Sequence, residues 1–352
     1  MLNENKIILG VFILILSFTF SIKGLADESQ MPVVIKTILP DNQINKEVEY
    51  FDLKMTPLAK QKVKIQVSNM TEEPINFKLR YSNAKTTSNG VIEYSENGEL
   101  KLNTPVGYSF TEILSGPDEL NVPAKKTEEV EFLISMPEKI YDGSIAGGVE
   151  FIQETSKSEE GALVAQRSYL VGFKMSETET KVATSIDLGK TFVGTKNYKS
   201  AIVVPLINLN GEYIEELSVS TEIMQKDDKT IVMKNDRQMM RMAPFSILEF
   251  PIYFEETILD VGEYVIKVKI EAEKDFKKEW EQSFNVTKKD YALMNEYQQL
   301  WHKDIEKSSK RKVFFLVVIT IVTLLVSSLI VLKYISNKKV KGDKNGKKKK
   351  YK

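Results

Sequence analysis

The 352-residue sequence contains no cysteine and only one histidine. Without cysteine, the chain can form no disulfide bond, offers no thiolate nucleophile and has no cysteine-based zinc site. The one histidine, His302, lies among charged residues near the C-terminal end, where we expect a solvated side chain. These absences exclude cysteine-dependent catalysis, and they exclude histidine-dependent triads from the long region before residue 302.

Motifs for catalysis and metal binding are missing as well. The sequence has no H-E-x-x-H, P-loop, dinucleotide fingerprint or calcium-loop spacing. Glycosidases that cleave the cell wall need only two carboxylates, and acids are plentiful here. However, Glu128, Glu129 and Glu131 resemble ordinary solvated strand positions. We therefore predict a non-enzymatic protein without catalytic residues, metal ligands or cofactors, and a cell-wall hydrolase stays only as a remote alternative.

Positive charge is distributed unevenly along the chain. The whole sequence is formally neutral, yet residues 333–352 hold ten lysines and one aspartate. Without the first 26 residues and the segment after Lys312, residues 27–312 have a net charge of −10. A nucleic-acid binder needs lysine and arginine to replace the phosphate counterions. The acidic region therefore argues against a nucleic-acid partner.

One long run without charged residues extends from Val313 to Leu332. As a helix its twenty residues would cover roughly 30 Å, the thickness of the hydrocarbon core of a bilayer. The lysine-rich tail, 333–352, predicts the cytoplasmic side. We therefore predict a single-pass protein of the plasma membrane with its N-terminal domains outside. No Leu-Pro-x-Thr-Gly motif precedes the run, which favours a permanent anchor over a sorting signal.

The N-terminal residues, 1–26, have the pattern of a secretory signal peptide. Lys6 precedes the apolar stretch Ile7 to Phe20, and Gly24-Leu25-Ala26 offers small residues at a cleavage site. The alternative is an uncleaved first membrane helix, although the apolar stretch is short for that role.

Segments with alternating polar and apolar residues predict the fold. They include Val63 to Val67, Phe77 to Tyr81, Leu217 to Thr221, Tyr264 to Ile270 and Trp280 to Val286. A period of two indicates half-buried strands, and turn-rich stretches between them favour antiparallel sheets. We predict an all-β fold of two tandem immunoglobulin-like antiparallel β-sandwiches, followed by a juxtamembrane helix and one C-terminal transmembrane helix.

The two halves also share an order of short signals that indicates a divergent repeat. Asn69 and a turn in the first half match Asn208 and a turn in the second. Val122-Pro123-Ala124 likewise matches Ala243-Pro244. In the second half, Asp260 to Tyr264 resembles the corner in which a tyrosine hydroxyl bonds to nearby backbone, although Tyr264 also fits a simple core position.

The predicted domain boundaries follow from these patterns. They are a first sandwich at 31–152, a second at 165–287, a juxtamembrane helix at 288–312, the span at 313–332 and the tail at 333–352. The polar stretch Gln153 to Gly161 marks the division. It also fits a long hairpin loop of the first domain, followed by a strand at Ala162 to Phe173. In the juxtamembrane region, Met294, Tyr297, Trp301 and Ile305 recur at helical spacing, which favours packing on the second domain or at the membrane interface.

Short motifs with a fixed order suggest a family. In the first half they are Pro40-Asp41-Asn42-Gln43, Tyr50-Phe51-Asp52-Leu53, Asn69, Asn89-Gly90-Val91-Ile92 with Tyr94, and Gly147-Gly148-Val149. In the second half they are Met242-Ala243-Pro244-x-Ser246 and Gly262-x-Tyr264. Together with the signal peptide, span and tail, they resemble the WxL-interacting proteins of Gram-positive bacteria over essentially the whole chain. One departure is Phe245, since the family usually has asparagine there.

The resemblance implies a membrane-anchored cell-surface protein that binds peptidoglycan through its first domain and docks WxL-domain surface proteins. It implies ligand-binding residues in the first domain and a motif in the second: Asn42, Gln43, Tyr50, Asp52, Asn89 and Tyr94, and Met242, Ala243, Pro244, Ser246 and Tyr264. An alternative function is an adhesin for a host extracellular-matrix protein.

Several of these residues also have a purely structural interpretation. Phe51 and Leu53 alternate like core positions, whereas Asn42, Asn89 and Gly90 fit turns, where asparagine and glycine tolerate positive φ. An exposed strand edge offers a further way to recruit a partner, through backbone hydrogen bonds and not through particular side chains.

Overall fold

The computed structural model describes residues 31–94, 109–154, 166–254, 258–273, 275–299, 310, 312–325 and 327–328. Most of these residues form strands, which confirms the all-β prediction. The strands are β1 (Val33–Ile38), β2 (Phe51–Lys54), β3 (Lys60–Asn69), β4 (Ile75–Asn83), β5 (Lys85–Thr86), β6 (Ile92–Glu93), β7 (Leu114–Ser115), β8 (Glu119–Val122), β9 (Thr127–Ser135), β10 (Ser144–Gln153), β11 (Ser168–Ser176), β12 (Ile186–Leu188), β13 (Phe192–Lys196), β14 (Lys199–Asn208), β15 (Ile214–Gln225), β16 (Ile231–Met242), β17 (Ile247–Tyr253), β18 (Gly262–Ala272) and β19 (Phe276–Val286). A single helical turn, α1 (Phe110–Ile113), precedes β7.

The first core lies between two sheets. One sheet has the order β1-β3-β9-β7 and the other the order β2-β11-β10-β4-β8. Phe132 of β9 meets Phe151 of β10 and Phe173 of β11, with ring centroids 6.5 and 6.4 Å apart. Phe51 and Leu53 are fully buried in the same core, as their alternation predicts. These contacts join the two sheets into one sandwich.

Strand β11 belongs to this first sandwich. It pairs with β10 along its length and with β2 from Phe173 to Ser176. Its alternate residues Val171, Phe173 and Met175 are buried in the first core. The predicted boundary at residue 165 assigns the strand to the second domain, and the pairing corrects this. The alternative interpretation, in which the strand after the polar stretch closes the first domain, agrees with the structure.

The second sandwich consists of two further sheets. In one, β14 pairs with β12, β13 and β17, and the other has the order β16-β15-β18-β19. Tyr264 combines both of its predicted roles. Its ring stacks on Phe284 in the second core at 5.7 Å between centroids, and its hydroxyl donates to the Asp260 carbonyl at 3.0 Å. The predicted tyrosine corner is therefore confirmed.

An asparagine fixes the turn after β3 in the first sandwich. Asn69 Nδ2 donates to the carbonyl oxygens of Glu73 at 2.7 Å and Val122 at 3.0 Å, while its Oδ1 accepts from the Thr71 amide at 2.9 Å. Asn69 is almost fully buried. The side chain therefore satisfies backbone groups that would otherwise be buried without partners.

The second sandwich repeats this arrangement. Asn208 Nδ2 donates to Glu212 at 2.8 Å and to Ala243 at 2.9 Å, and its Oδ1 accepts from the Asn210 amide at 3.1 Å. These matching bonds confirm the alignment of Asn69 with Asn208 that the sequence predicts. Each sandwich thus uses one amide side chain to tie a turn to a distant strand end.

The second sandwich is followed by a helix, α2, at residues 288–299. Its start is capped reciprocally: the Thr287 amide donates to Asp290 Oδ2 at 2.9 Å, and the Asp290 amide donates to Thr287 Oγ1 at 3.2 Å. Met294 is fully buried in the second core. The helix therefore packs on the second sandwich.

Residues 312–325 and 327–328 are also helical. Within the described ranges, no helix combines the length and the apolar content that a membrane crossing requires. The predicted signal peptide at 1–26, residues 326 and 329–332 of the predicted span, and the tail at 333–352 lie outside the described residues. The same holds for Trp301, His302 and Ile305.

The two buried asparagines lead to a stability prediction. We expect Asn69→Ala and Asn208→Ala each to lower the free energy of unfolding by roughly 2 to 4 kcal/mol, because each leaves buried carbonyls unpaired at about 1–3 kcal/mol apiece. Urea denaturation of the full chain measures this. Asn121→Ala is the matched control, since Asn121 is exposed and its side chain bonds to the Asn76 side chain and to no other described residue. It should change stability by less than about 0.5 kcal/mol. Equal effects at all three positions would contradict the assigned role.

Candidate functional site

The two sandwiches meet through a buried polar junction. The hairpin of β5 and β6 extends from the first sandwich, and Thr86 Oγ1 lies 2.5 Å from Ser246 Oγ of the second. The Ala243 amide donates to the same Thr86 oxygen at 2.9 Å. All three residues are buried, so these bonds are shielded from competing water.

A close approach of two backbones adds to this junction. The Ser144 amide of β10 donates to the Gly211 carbonyl of the second sandwich at 2.7 Å. A Cβ on Gly143 would lie 2.6 Å from that carbonyl oxygen, and Gly143 has a φ of +84°. Glycine is therefore required at position 143 for both space and backbone conformation.

Phe245 extends from the junction into the hydrophobic core of the first sandwich. It follows β16 in the second half, yet its buried ring packs with the first hydrophobic core. Its φ is +49°, a left-handed conformation that asparagine adopts more readily than phenylalanine. Lys125, with φ +56°, occupies the equivalent position of the first sandwich: each residue directly precedes the carbonyl that accepts from the amide of Asn69 or Asn208.

A cleft of about 920 Å³ opens beside this junction. Its walls are residues 31, 33–35 and 37, at and before β1, and residues 169–174 of β11. Tyr50 and Tyr94 also line it. The second sandwich contributes Tyr213, Glu215 and Arg241 at one end. Both sandwiches thus build one cleft of aliphatic, aromatic and charged side chains.

Two tyrosines and an ion pair close this end of the cleft. The hydroxyls of Tyr94 and Tyr213 lie 3.3 Å apart. Burial raises the pKa of both, so both hydroxyls stay protonated near neutral pH. Arg241 donates through Nε and Nη2 to the Glu215 carboxylate, a bidentate geometry that fixes both side chains.

Irregular pairing between β15 and β16 positions that ion pair. The register shifts on both sides of Leu217, where Glu216 has a φ of +52° and Met239 a φ of +59°. Such bulges change the direction in which neighbouring side chains project. They bring Glu215 and Arg241 to the rim of the cleft.

The structure separates the first-domain residues that the resemblance groups together. Tyr50 and Tyr94 line the cleft. Asn42 Nδ2 donates to the Lys54 carbonyl at 2.8 Å, and Gln43 Nε2 donates to the Tyr50 carbonyl at 2.9 Å, so both amides brace the turn before β2.

The remaining two first-domain residues lie elsewhere. Asp52 is buried, with Oδ1 3.4 Å from Lys174 Nζ. Asn89 belongs to the turn between β5 and β6, in which the Gly90 carbonyl accepts from the Arg241 amide at 2.8 Å. This turn joins the two sandwiches. The interpretation of Asn89 and Gly90 as turn-forming residues agrees with this position.

The second-domain motif lies in the junction and the core. Ala243 and Ser246 bond to Thr86, as described above, whereas Met242 and Tyr264 are buried in the second core. Pro244, which follows Ala243, is buried as well. The motif therefore holds the sandwiches together instead of lining the cleft.

Sequence reasoning missed Tyr213, Glu215 and Arg241. They lie in a turn and at bulged positions, where the alternation that marks strands is interrupted. The only available signal was the pair of consecutive acids at Glu215 and Glu216 before the regular segment of β15, and it does not reveal a contact with the other half.

Phe245 leads to a prediction about the direction in which the free energy of unfolding changes. Phe245→Asn relieves a strained backbone, worth up to about 1–2 kcal/mol, but loses the burial of a phenyl ring, worth about 1.5–3 kcal/mol. We expect net destabilisation of about 1 kcal/mol in urea denaturation. At the exposed Lys125, Lys125→Asn relieves the same strain and loses an ion pair with Glu72 at 3.0 Å and a hydrogen bond to the Met70 carbonyl at 2.9 Å. Exposed pairs of this kind contribute about 0–1 kcal/mol, so the variant should be neutral or slightly stabilising. Shifts of the same sign in both variants would contradict this account of the junction.

Among solved structures, the chain is similar to several chaperones at low sequence identity. The class 5 fimbriae chaperone CfaA is 13% identical, with a TM-score of 0.28, over 66% of this chain and 95% of that one. The Pseudomonas aeruginosa CupB2 chaperone is 12% identical, with a TM-score of 0.26, over 66% and 96%. No curated protein matches the chain.

Two family models match in order along the chain. Residues 34–153 match "WxL Interacting Protein, peptidoglycan binding domain", and residues 158–296 match "WxL Interacting Protein, host binding domain". The second match begins before β11, so it includes a strand that completes the first sandwich. The chain therefore belongs to the WxL Interacting Protein family and combines its peptidoglycan binding domain with its host binding domain.

Proposed function

We propose that the protein is a membrane-anchored, non-enzymatic adaptor that binds peptidoglycan and docks WxL-domain surface proteins. The observation that carries this proposal is the match of both family domains, in order, over residues 34–153 and 158–296. A family defined by binding domains fits a protein whose sequence lacks nucleophilic and metal-binding motifs.

The junction supports an adaptor role. Thr86 bonds to Ala243 and Ser246, and Phe245 enters the first core. A ligand held by one sandwich is therefore kept at a defined distance and orientation from a ligand held by the other. Two modules on a flexible linker would lack this fixed geometry.

The anchor and its orientation rest on the sequence. The uncharged run from Val313 to Leu332 and the lysine-rich tail at 333–352 support a single span with the tail in the cytoplasm. The two sandwiches, which we propose to be immunoglobulin-like, would then lie directly outside the membrane and beneath the wall. In this arrangement the family's wall ligand is within reach of the first domain.

A second candidate function is an adhesin for a host extracellular-matrix protein. The match of residues 158–296 to a host binding domain favours it. The two candidates differ in the main ligand of the second domain, so immobilised matrix proteins and an immobilised WxL-domain protein distinguish them directly.

A binding experiment tests the leading proposal. The full chain, purified in a mild detergent, is sedimented with insoluble peptidoglycan and, separately, passed over an immobilised WxL-domain protein. We expect retention in both assays and no release of soluble muropeptides from the peptidoglycan. Binding to neither ligand would overturn the proposal.

Two further outcomes of these assays would favour a different function. Strong retention on a matrix protein without retention on the WxL-domain protein would favour the adhesin. Release of muropeptides would establish the hydrolase.

A further inference from the structure

On one side, the cleft is bounded by β1, whose outer edge pairs with no other strand in the part of the chain that the structure describes. β1 lies at the end of its sheet and pairs with β3. The Met70 amide donates to the Pro32 carbonyl at 2.9 Å, and antiparallel strands alternate between residues that bond to the neighbour and residues that face away. It follows that the backbone groups of Val33, Ile35 and Thr37 face away from β3, on the side of the cleft.

A second strand edge bounds the opposite side. The Gln153 amide donates to the Arg167 carbonyl at 2.9 Å, which places the odd-numbered residues of β11 toward β10. The even-numbered residues face the other way, and there β2 covers only Phe173 to Ser176. The backbone groups of Ser168 and Leu170 are therefore turned toward the cleft without a pairing strand among the described residues.

Apolar side chains flank both edges. Val34 is 45% exposed on β1, and Leu170 is 45% exposed on β11. Natural proteins usually protect such edges with charges, proline, bulges or a covering segment. Here the two edges and their aliphatic side chains face one cleft, which continues to the interface of the two sandwiches at Tyr94 and Tyr213.

We propose that this cleft, the β1–β11 groove, receives an extended segment of a partner protein as an added strand. The inference rests on the proposed function, and the partner is the docked WxL-domain protein. The strand forms main-chain hydrogen bonds with both β1 and β11, a recognised mode of peptide recognition. It joins the two sheets of the first sandwich along their open side.

The groove also specifies the chemistry of that segment. Residues 33–37 of β1 span roughly 15 Å at about 3.3 Å per residue, so about five residues of the partner fit. Side chains that point inward meet Val33, Tyr169 and Val171, and must be apolar. Those that point outward lie beside Val34 and Leu170. A segment rich in β-branched and aliphatic residues therefore binds best.

A polypeptide fits this groove better than a glycan does. Along the edges of β1 and β11, the groove offers main-chain amides and carbonyls at strand spacing, which another strand matches. The charged side chains of Glu215 and Arg241 at the rim already bond to each other. The two tyrosines that offer aromatic surface at the end of the groove are half-buried, and their hydroxyls face each other. Peptidoglycan in this groove is an outcome that the following experiment detects.

Hydrogen exchange tests the inference directly. The full chain is exchanged alone and in complex with a purified WxL-domain protein, and amide exchange is followed residue by residue. We expect the amides of Val33, Ile35 and Leu170 to exchange at least tenfold more slowly in the complex. A complex that forms while these amides exchange unchanged would overturn the groove assignment and leave the docking function intact. Failure to form any complex would overturn both.

A matched pair of variants gives a second readout. Val34→Glu places a charge on the β1 edge beside the groove, whereas Ile231→Glu places the same charge on β16, where the isoleucine is 46% exposed. We expect Val34→Glu to weaken partner binding at least tenfold and Ile231→Glu to leave it unchanged, with equal thermal unfolding of both. Equal binding by the two variants, or slower exchange of Val33 and Ile35 with peptidoglycan fragments in place of the partner, would contradict the proposal.

Discussion

The structure depends on satisfying the buried backbone of Ala243. Its amide donates to Thr86 of the other sandwich, and its carbonyl accepts from Asn208 Nδ2 at 2.9 Å and from Ser246 Oγ at 2.7 Å. Ala243 is fully buried, so water cannot replace these partners, and an unpaired group there would destabilise the fold by about 1–3 kcal/mol. Ala243 thus links the turn that Asn208 fixes in the second sandwich to Thr86 of the first sandwich.

The end of the cleft at Tyr94 and Tyr213 follows from this link. Because the β5–β6 hairpin is held against Ala243, the Gly90 carbonyl meets the Arg241 amide, and Tyr94 comes within 3.3 Å of Tyr213. The exposed edge of β11 along the groove has a different origin, since β2 covers only the end of that strand. Junction and groove are therefore adjacent but have separate causes, which allows partner binding to be altered without separating the sandwiches.

Much of the fold could be predicted from the sequence because burial on one face imposes a period of two. This period predicts the strands around Val63, Phe77 and Tyr264. The sequence also predicts that Asn69 and Asn208 are equivalent, and their side chains form equivalent hydrogen bonds. The membership of β11 could not be predicted, since its alternation fits either sandwich and only pairing with β10 decides. Of the residues that the resemblance implies for ligand binding, Tyr50 and Tyr94 line the cleft, and their role in binding stays a prediction. Contacts such as Thr86 with Ser246 could not be predicted, because they join residues 160 positions apart and leave no local pattern.

The central claim is that the two sandwiches form one unit. The absence of cysteine allows a clean test, because Glu119→Cys in β8 and Lys277→Cys in β19 introduce the only two thiols for spin labels. The distance between the labels is then measured by pulsed electron paramagnetic resonance on the full chain. The account predicts a single narrow distance distribution. A broad or multi-peaked distribution would show sandwiches that move independently and would contradict it.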